Sequence, residues 1–64
     1  MKNAVRELRQ ERRWTQQELG TKVGTSRQAI IAIENGRFDP SLPLAIKLSR
    51  VLEKPIEAIF FLDE

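Results

Sequence analysis

The chain predicts an all-α fold built from five short helices. Apolar residues recur at spacings of three and four, and no stretch makes a convincing strand. Cap-forming Thr and Ser residues and glycines fall where one periodic segment gives way to the next.

The first helix is expected from Asn3 to Arg12, with Val5 and Leu8 one turn apart facing inward and Glu7 to Glu11 along a polar side. Arg13 and Trp14 form its exit. Trp14 is the one tryptophan in the chain, and its apolar area suits a core plug better than a base-stacking platform. Thr15 then caps a second helix. Glu18 stands three residues on, the spacing at which hydroxyl and carboxylate satisfy each other's free backbone N–H groups. Leu19 and Val23 supply its inward pair, and Gly24 ends it.

Thr25 is expected to cap a third helix reaching Asn35, closed in turn by Gly36. Phe38-Asp39-Pro40-Ser41 reads as a turn. Ser41 caps the fourth helix, and Pro43 falls in its first turn, where a missing N–H costs little. Leu44, Leu48, Val51 and Leu52 follow helical spacing. Pro55 stops that helix and opens a short fifth one with Ile56, Ile59 and Phe60, followed by the apolar pair Phe61-Leu62.

Sixty-four residues make one domain, 1–64, with a modest core. Cysteine and histidine are both absent, which removes disulfides, thiolate metal sites, the commonest transition-metal ligand and the usual general base. No hydroxyl stands beside a base in a readable motif, so no enzyme, metal, cofactor or small-molecule ligand is expected. No apolar run nears the roughly 18 residues that span a bilayer, and the first residues lack the apolar h-region expected of a signal peptide. The expected setting is the cytoplasm.

The formal net charge of +2 is unevenly placed. Residues 1–37 hold eight basic and four acidic residues, a net of +4, whereas residues 38–64 hold three and five, a net of −2. A basic half of this kind suits a polyanion partner.

That half contains the segment from Gln16 to Asn35. Its fifth and ninth positions are Gly20 and Gly24, and Leu19, Val23, Ile30 and Ile33 fill its fourth, eighth, fifteenth and eighteenth. The spacing suits two helices joined by a tight turn, the second held up on the first, an arrangement able to enter a DNA major groove. Ser26, Arg27 and Gln28, following Thr25, stand at the start of the second of these helices. Arg can pair bidentately with guanine and Gln with adenine. Gln16 and Gln17 open the first, where free N–H groups and a positive dipole suit a phosphate. Asn35 and Arg37 lie at the far end, in positions suited to backbone contact. Ile31 is expected to point outward, toward a thymine methyl or a partner.

With these residues in place, the chain resembles the Xre/Cro/C1-type helix-turn-helix regulators. The matching residues are Arg9, Thr15-Gln16-Gln17-Glu18-Leu19, Val23-Gly24, Ser26-Arg27-Gln28, Ile33-Glu34-Asn35-Gly36-Arg37, Asp39-Pro40-Ser41-Leu42 and Ile59-Phe60. The resemblance spans nearly the whole chain. It implies a compact five-helix, lambda-repressor-like domain that binds operator DNA in its major groove as a symmetric homodimer. It places Ala32 with the base-facing residues, gives Asn35 and Arg37 to phosphates, and makes Arg9 and Glu34 a buried ion pair. Three residues depart from the family pattern: Arg13 stands where Gly is frequent, Ala32 is too short to hydrogen-bond a base, and Ile31 replaces a polar residue. The resulting expectation is a repressor on an inverted-repeat operator, with dimerisation in residues 42–64 through Ile46, Ile59, Phe61 and Leu62. The alternative is an antitoxin-like or accessory module that binds DNA together with a partner protein.

Overall fold

The structure, a computed structural model, describes residues 1–63; residue 64, the last of the expected domain and dimerisation segment, lies outside them. Five helices appear among the described residues, in the order α1 (Val5–Glu11), α2 (Gln16–Val23), α3 (Arg27–Glu34), α4 (Leu42–Leu52) and α5 (Ile56–Ile59). The fold is all-α, as expected, and a short strand pair is added to it. Lys2–Asn3 (β1) and Phe60–Phe61 (β2) pair antiparallel, Lys2 opposite Phe61 and Asn3 opposite Phe60. α1 therefore starts at Val5 rather than at Asn3, because the backbone of Asn3 is extended and its side-chain Oδ1 accepts the Val5 N–H at 3.1 Å.

The inward pairs from all five helices meet in one cluster: Val5 and Leu8, Leu19 and Val23, Ile30 and Ile33, Leu48 and Leu52, and Ile59. Burying an aliphatic side chain of this size contributes about 1.5–3 kcal/mol. Trp14, Leu44, Val51 and Phe60 pack half-buried against the cluster. Trp14 also lies beneath the Lys22 ammonium, 4.6 Å from the ring centre, so its apolar body plugs the core edge while its outer face meets a cation.

Ile59 is a correction. It was expected at a dimer surface, but it is fully buried in this core, since the backbone turns extended right after it and aims Ile59 inward. Its carbonyl also accepts the Ala4 N–H at 2.8 Å. Ile46, Phe61 and Leu62 are exposed.

Four helices close on a left-handed residue: Arg13 after α1, Gly24 after α2, Gly36 after α3 and Glu53 after α4. In each case the next N–H reaches back five residues, from Trp14 to Arg9, Thr25 to Gly20, Arg37 to Ala32, and Lys54 to Ser49. These bonds satisfy carbonyls that the helix end would otherwise leave unpaired. Arg12 supplies a second kind of closure. Its guanidinium donates to the Leu8 carbonyl at 2.8 Å and to the Leu52 carbonyl, tying the ends of α1 and α4 together.

Candidate nucleic-acid interface

Local chemistry sets where α2 begins. The Thr15 hydroxyl accepts the Glu18 N–H at 3.0 Å, and the Glu18 carboxylate accepts the Thr15 N–H at 2.8 Å. The Thr15 N–H foremost, then the Thr15 side chain and the Lys22 charge, hold the exposed Glu18 carboxyl below its ordinary range. Gln16 and Gln17 therefore open the helix at a fixed place.

The turn between α2 and α3 occupies residues 24–26. Gly24 has φ +73°, a conformation costly for other residues. Gly20 meets a different demand: a Cβ there would sit 2.9 Å from the Thr25 carbonyl oxygen, so only glycine lets the turn fold back onto α2. The cap differs from expectation. Ser26, not Thr25, caps α3, its hydroxyl accepting the Ala29 N–H at 3.1 Å. Thr25 is instead part of the closure of α2, its N–H donating to Gly20 O at 2.8 Å.

α3 divides into two faces. Ile30 and Ile33 are fully buried, while Arg27, Gln28 and, just past the end, Asn35 are exposed. The four-residue steps Arg27–Ile31–Asn35 and Gln28–Ala32 run along the outer side. Ile31 is half-buried rather than fully outward, because its position borders the core stripe. Ala32 is half-buried and Thr25 likewise; Ser26, Gln17 and Arg37 are exposed.

Glu34 is the one carboxylate on α3, and its side chain has no exposure. Arg9 grips it with Nε 2.7 Å from Oε2 and Nη2 3.3 Å from Oε1, while Nη1 donates to the Trp14 carbonyl at 2.8 Å. Gln16 Nε2 donates to Oε1 at 3.1 Å, and Arg6 Nε lies 3.5 Å from the same oxygen. Burial by itself would raise this carboxyl's pKa. The hydrogen bonds from Arg9 and Gln16, the Arg9 charge and the Arg6 contact outweigh it and hold the group below the usual carboxylate range. The exposed side of α3 thus presents Arg27 with no competing acid.

Gln16 sits differently from a free phosphate ligand: it is half-buried, and one amide N–H is committed to Glu34. Asn35 is also engaged, its Oδ1 accepting from Arg6 Nη2 at 2.9 Å. Sequence reasoning missed Arg6, Arg12 and Asn3. Asn3 Nδ2 donates to the Ile33 carbonyl at 2.8 Å, holding the end of α3 against the start of the chain. Arg6 and Arg12 left a local signal, each standing three residues from Arg9, whereas Asn3 left none.

Comparison with known proteins agrees with this geometry. A helix-turn-helix family model matches residues 5–59. An uncharacterised HTH-type transcriptional regulator of Methanothermobacter thermautotrophicus is 51% identical over 65 residues, covering 100% of this chain and 94% of that protein. The Bacillus subtilis HTH-type regulator YgzD, also uncharacterised, is 44% identical, with 100% and 97% covered. Among solved structures, the restriction-modification controller protein C.AhdI from Aeromonas hydrophila superposes with a TM-score of 0.79 at 28% identity, covering 88% of this chain and 85% of that one.

Proposed function

The chain belongs to the helix-turn-helix family of DNA-binding transcriptional regulators, and from that premise we propose that it is a repressor that binds an inverted-repeat operator as a homodimer. The observation that carries this reading is the outer face of α3. Arg27 and Gln28 stand exposed in its first turn behind the Ser26 cap, and the helix is backed by fully buried Ile30 and Ile33. Side chains near the start of a recognition helix are the ones that reach base edges.

In this reading Arg27 and Gln28 read bases, with Ser26 and Thr25 at the rim and Ile31 and Ala32 offering apolar contact. Gln17, Asn35, Arg37 and the start of α2 at Gln16 meet phosphates. So few base contacts per copy give weak discrimination, and a second half-site restores it. Ile46, Phe61 and Leu62, which are exposed as Met1, Phe38 and Leu42 also are, are assigned to pairing in this reading. A protein of this kind would repress most simply by covering DNA that polymerase needs. Among the described residues no helix is long and apolar enough to cross a membrane.

Selection from a randomised duplex pool at about 0.15 M salt, a physiological ionic strength, followed by sequencing, tests the reading. Enrichment of an inverted repeat with half-sites about one helical turn apart is expected. Salt-sensitive binding with no enriched sequence would refute it and favour a module that reads DNA only with a partner protein.

A further inference from the structure

Asn35 caps the end of α3, and its side chain has two chemically different ends. The end turned toward α1 lies 2.9 Å from Nη2 of Arg6. A guanidinium only donates hydrogen bonds, so the carboxamide atom it meets is the oxygen, and Nδ2 is turned away from α1. Arg6 is in turn anchored: its Nε lies 3.5 Å from Oε1 of Glu34, whose side chain has no exposure. Glu34 is held by Arg9 and Gln16. The chain of contacts runs from a buried carboxylate through an α1 arginine to an exposed amide at the end of α3.

We propose that Arg6 is a positioning residue for DNA-backbone contact, locking the Asn35 carboxamide so that its Nδ2 donors face a phosphate. The proposal rests on the DNA-binding face described above and extends it to a residue on another helix. Without Arg6, the Asn35 amide is free to turn over, and half its orientations put the carbonyl oxygen toward an anionic phosphate. With Arg6, the donor end is prepaid in the free protein and nothing need reorder on binding. The role differs from a direct phosphate contact: Nε and Nη2 of Arg6 are directed at Glu34 and Asn35.

A double-mutant cycle on the full chain tests this, using the duplex recovered by selection and variants Arg6→Met, Asn35→Ala and the pair. Each single change is expected to weaken binding about three- to tenfold, the worth of one net hydrogen bond. The double variant should be no weaker than Asn35→Ala alone. Additive losses, with the salt slope lowered by about one in Arg6→Met, would overturn the proposal in favour of a direct phosphate contact by Arg6. Side-chain 15N relaxation of Asn35 in the DNA-free protein gives an independent reading: the amide should be ordered in the parent chain and mobile in Arg6→Met. Unchanged amide order would overturn the proposal too. A parent chain that binds no duplex refutes the DNA reading and the proposal together, whereas a parent chain that binds with additive losses refutes only the role of Arg6. Thermal unfolding of each variant separates these effects from loss of fold.

Discussion

Arg9 and Glu34 meet side-on, Nε 2.7 Å from Oε2 and Nη2 3.3 Å from Oε1, with the carboxylate wholly out of solvent and the arginine nearly so. The pair joins the last turn of α1 to the last turn of α3. Its energetic character is that of a buried ion pair: it is costly to assemble and costlier to break, since removing one partner strands the other. Arg9→Met or Glu34→Ala should therefore lower stability by about 3–5 kcal/mol in chemical denaturation. The pH dependence follows by linkage. The folded-state carboxyl lies below its unfolded value of about 4.3, so its contribution is fully present above that pH. It is lost as pH falls through the folded value. Acid unfolding monitored by circular dichroism should steepen below about pH 4, and Glu34→Gln should flatten that limb. An identical acid limb in Glu34→Gln would assign the acid sensitivity elsewhere.

Gly20→Ala tests the closeness of α2 to the turn that leads into α3. The added Cβ would meet the Thr25 carbonyl oxygen at 2.9 Å, and that oxygen belongs to backbone held by its own hydrogen bond. The turn must then move outward. A loss of about 1–3 kcal/mol is expected, as for overpacking elsewhere, together with weaker DNA binding. A stability equal to that of the parent chain would show that the turn yields freely.

Arg13 and Glu53 end their helices at φ 58° and 56° with full side chains. Left-handed backbone costs an L-residue about 1–2 kcal/mol, which glycine avoids in exchange for extra unfolded-state entropy. Arg13→Gly and Glu53→Gly should each raise stability by about 0.5–1 kcal/mol, read as a higher melting temperature. The two sites adjoin residues that bond each other, Arg12 and Leu52, so the double variant measures whether the gains add or couple.

Base reading and backbone contact separate by their signatures. Arg27→Ala and Gln28→Ala should each cost about 1–3 kcal/mol on the selected duplex and relax preference at one base pair. Arg37→Ala should weaken all duplexes alike and lower the salt slope by about one. Equal losses on selected and random DNA for Gln28→Ala would remove it from the reading set.

What was legible in the sequence was local. The Thr15–Glu18 box, the Ser41 cap and the inward pairs Leu19–Val23 and Ile30–Ile33 depend on residues within a turn or two of one another, and the structure has them as expected. The cap of α3 was not, because Thr25 and Ser26 are both good caps and only the hydrogen bond from Thr25 N–H to Gly20 decides between them. The β1–β2 pair joins segments almost sixty residues apart, and two-residue strands carry no periodicity to read. Ile59 followed helical spacing, yet whether it faces core or solvent depends on how the chain turns after it. The engagement of Gln16 and Asn35 was hidden for the same reason: their partners, Glu34 and Arg6, lie on other helices.

The three-residue turn at 24–26, pinned by Gly20 and by the bond from Thr25 to Gly20, has a consequence for how such a protein diverges. A connector this short holds no slack, so α3 cannot be re-aimed without losing its seat on α2. On the proposed reading, descendants of this chain that come to recognise new sites would change by exchanging side chains at positions such as Arg27 and Gln28, with the scaffold inherited whole.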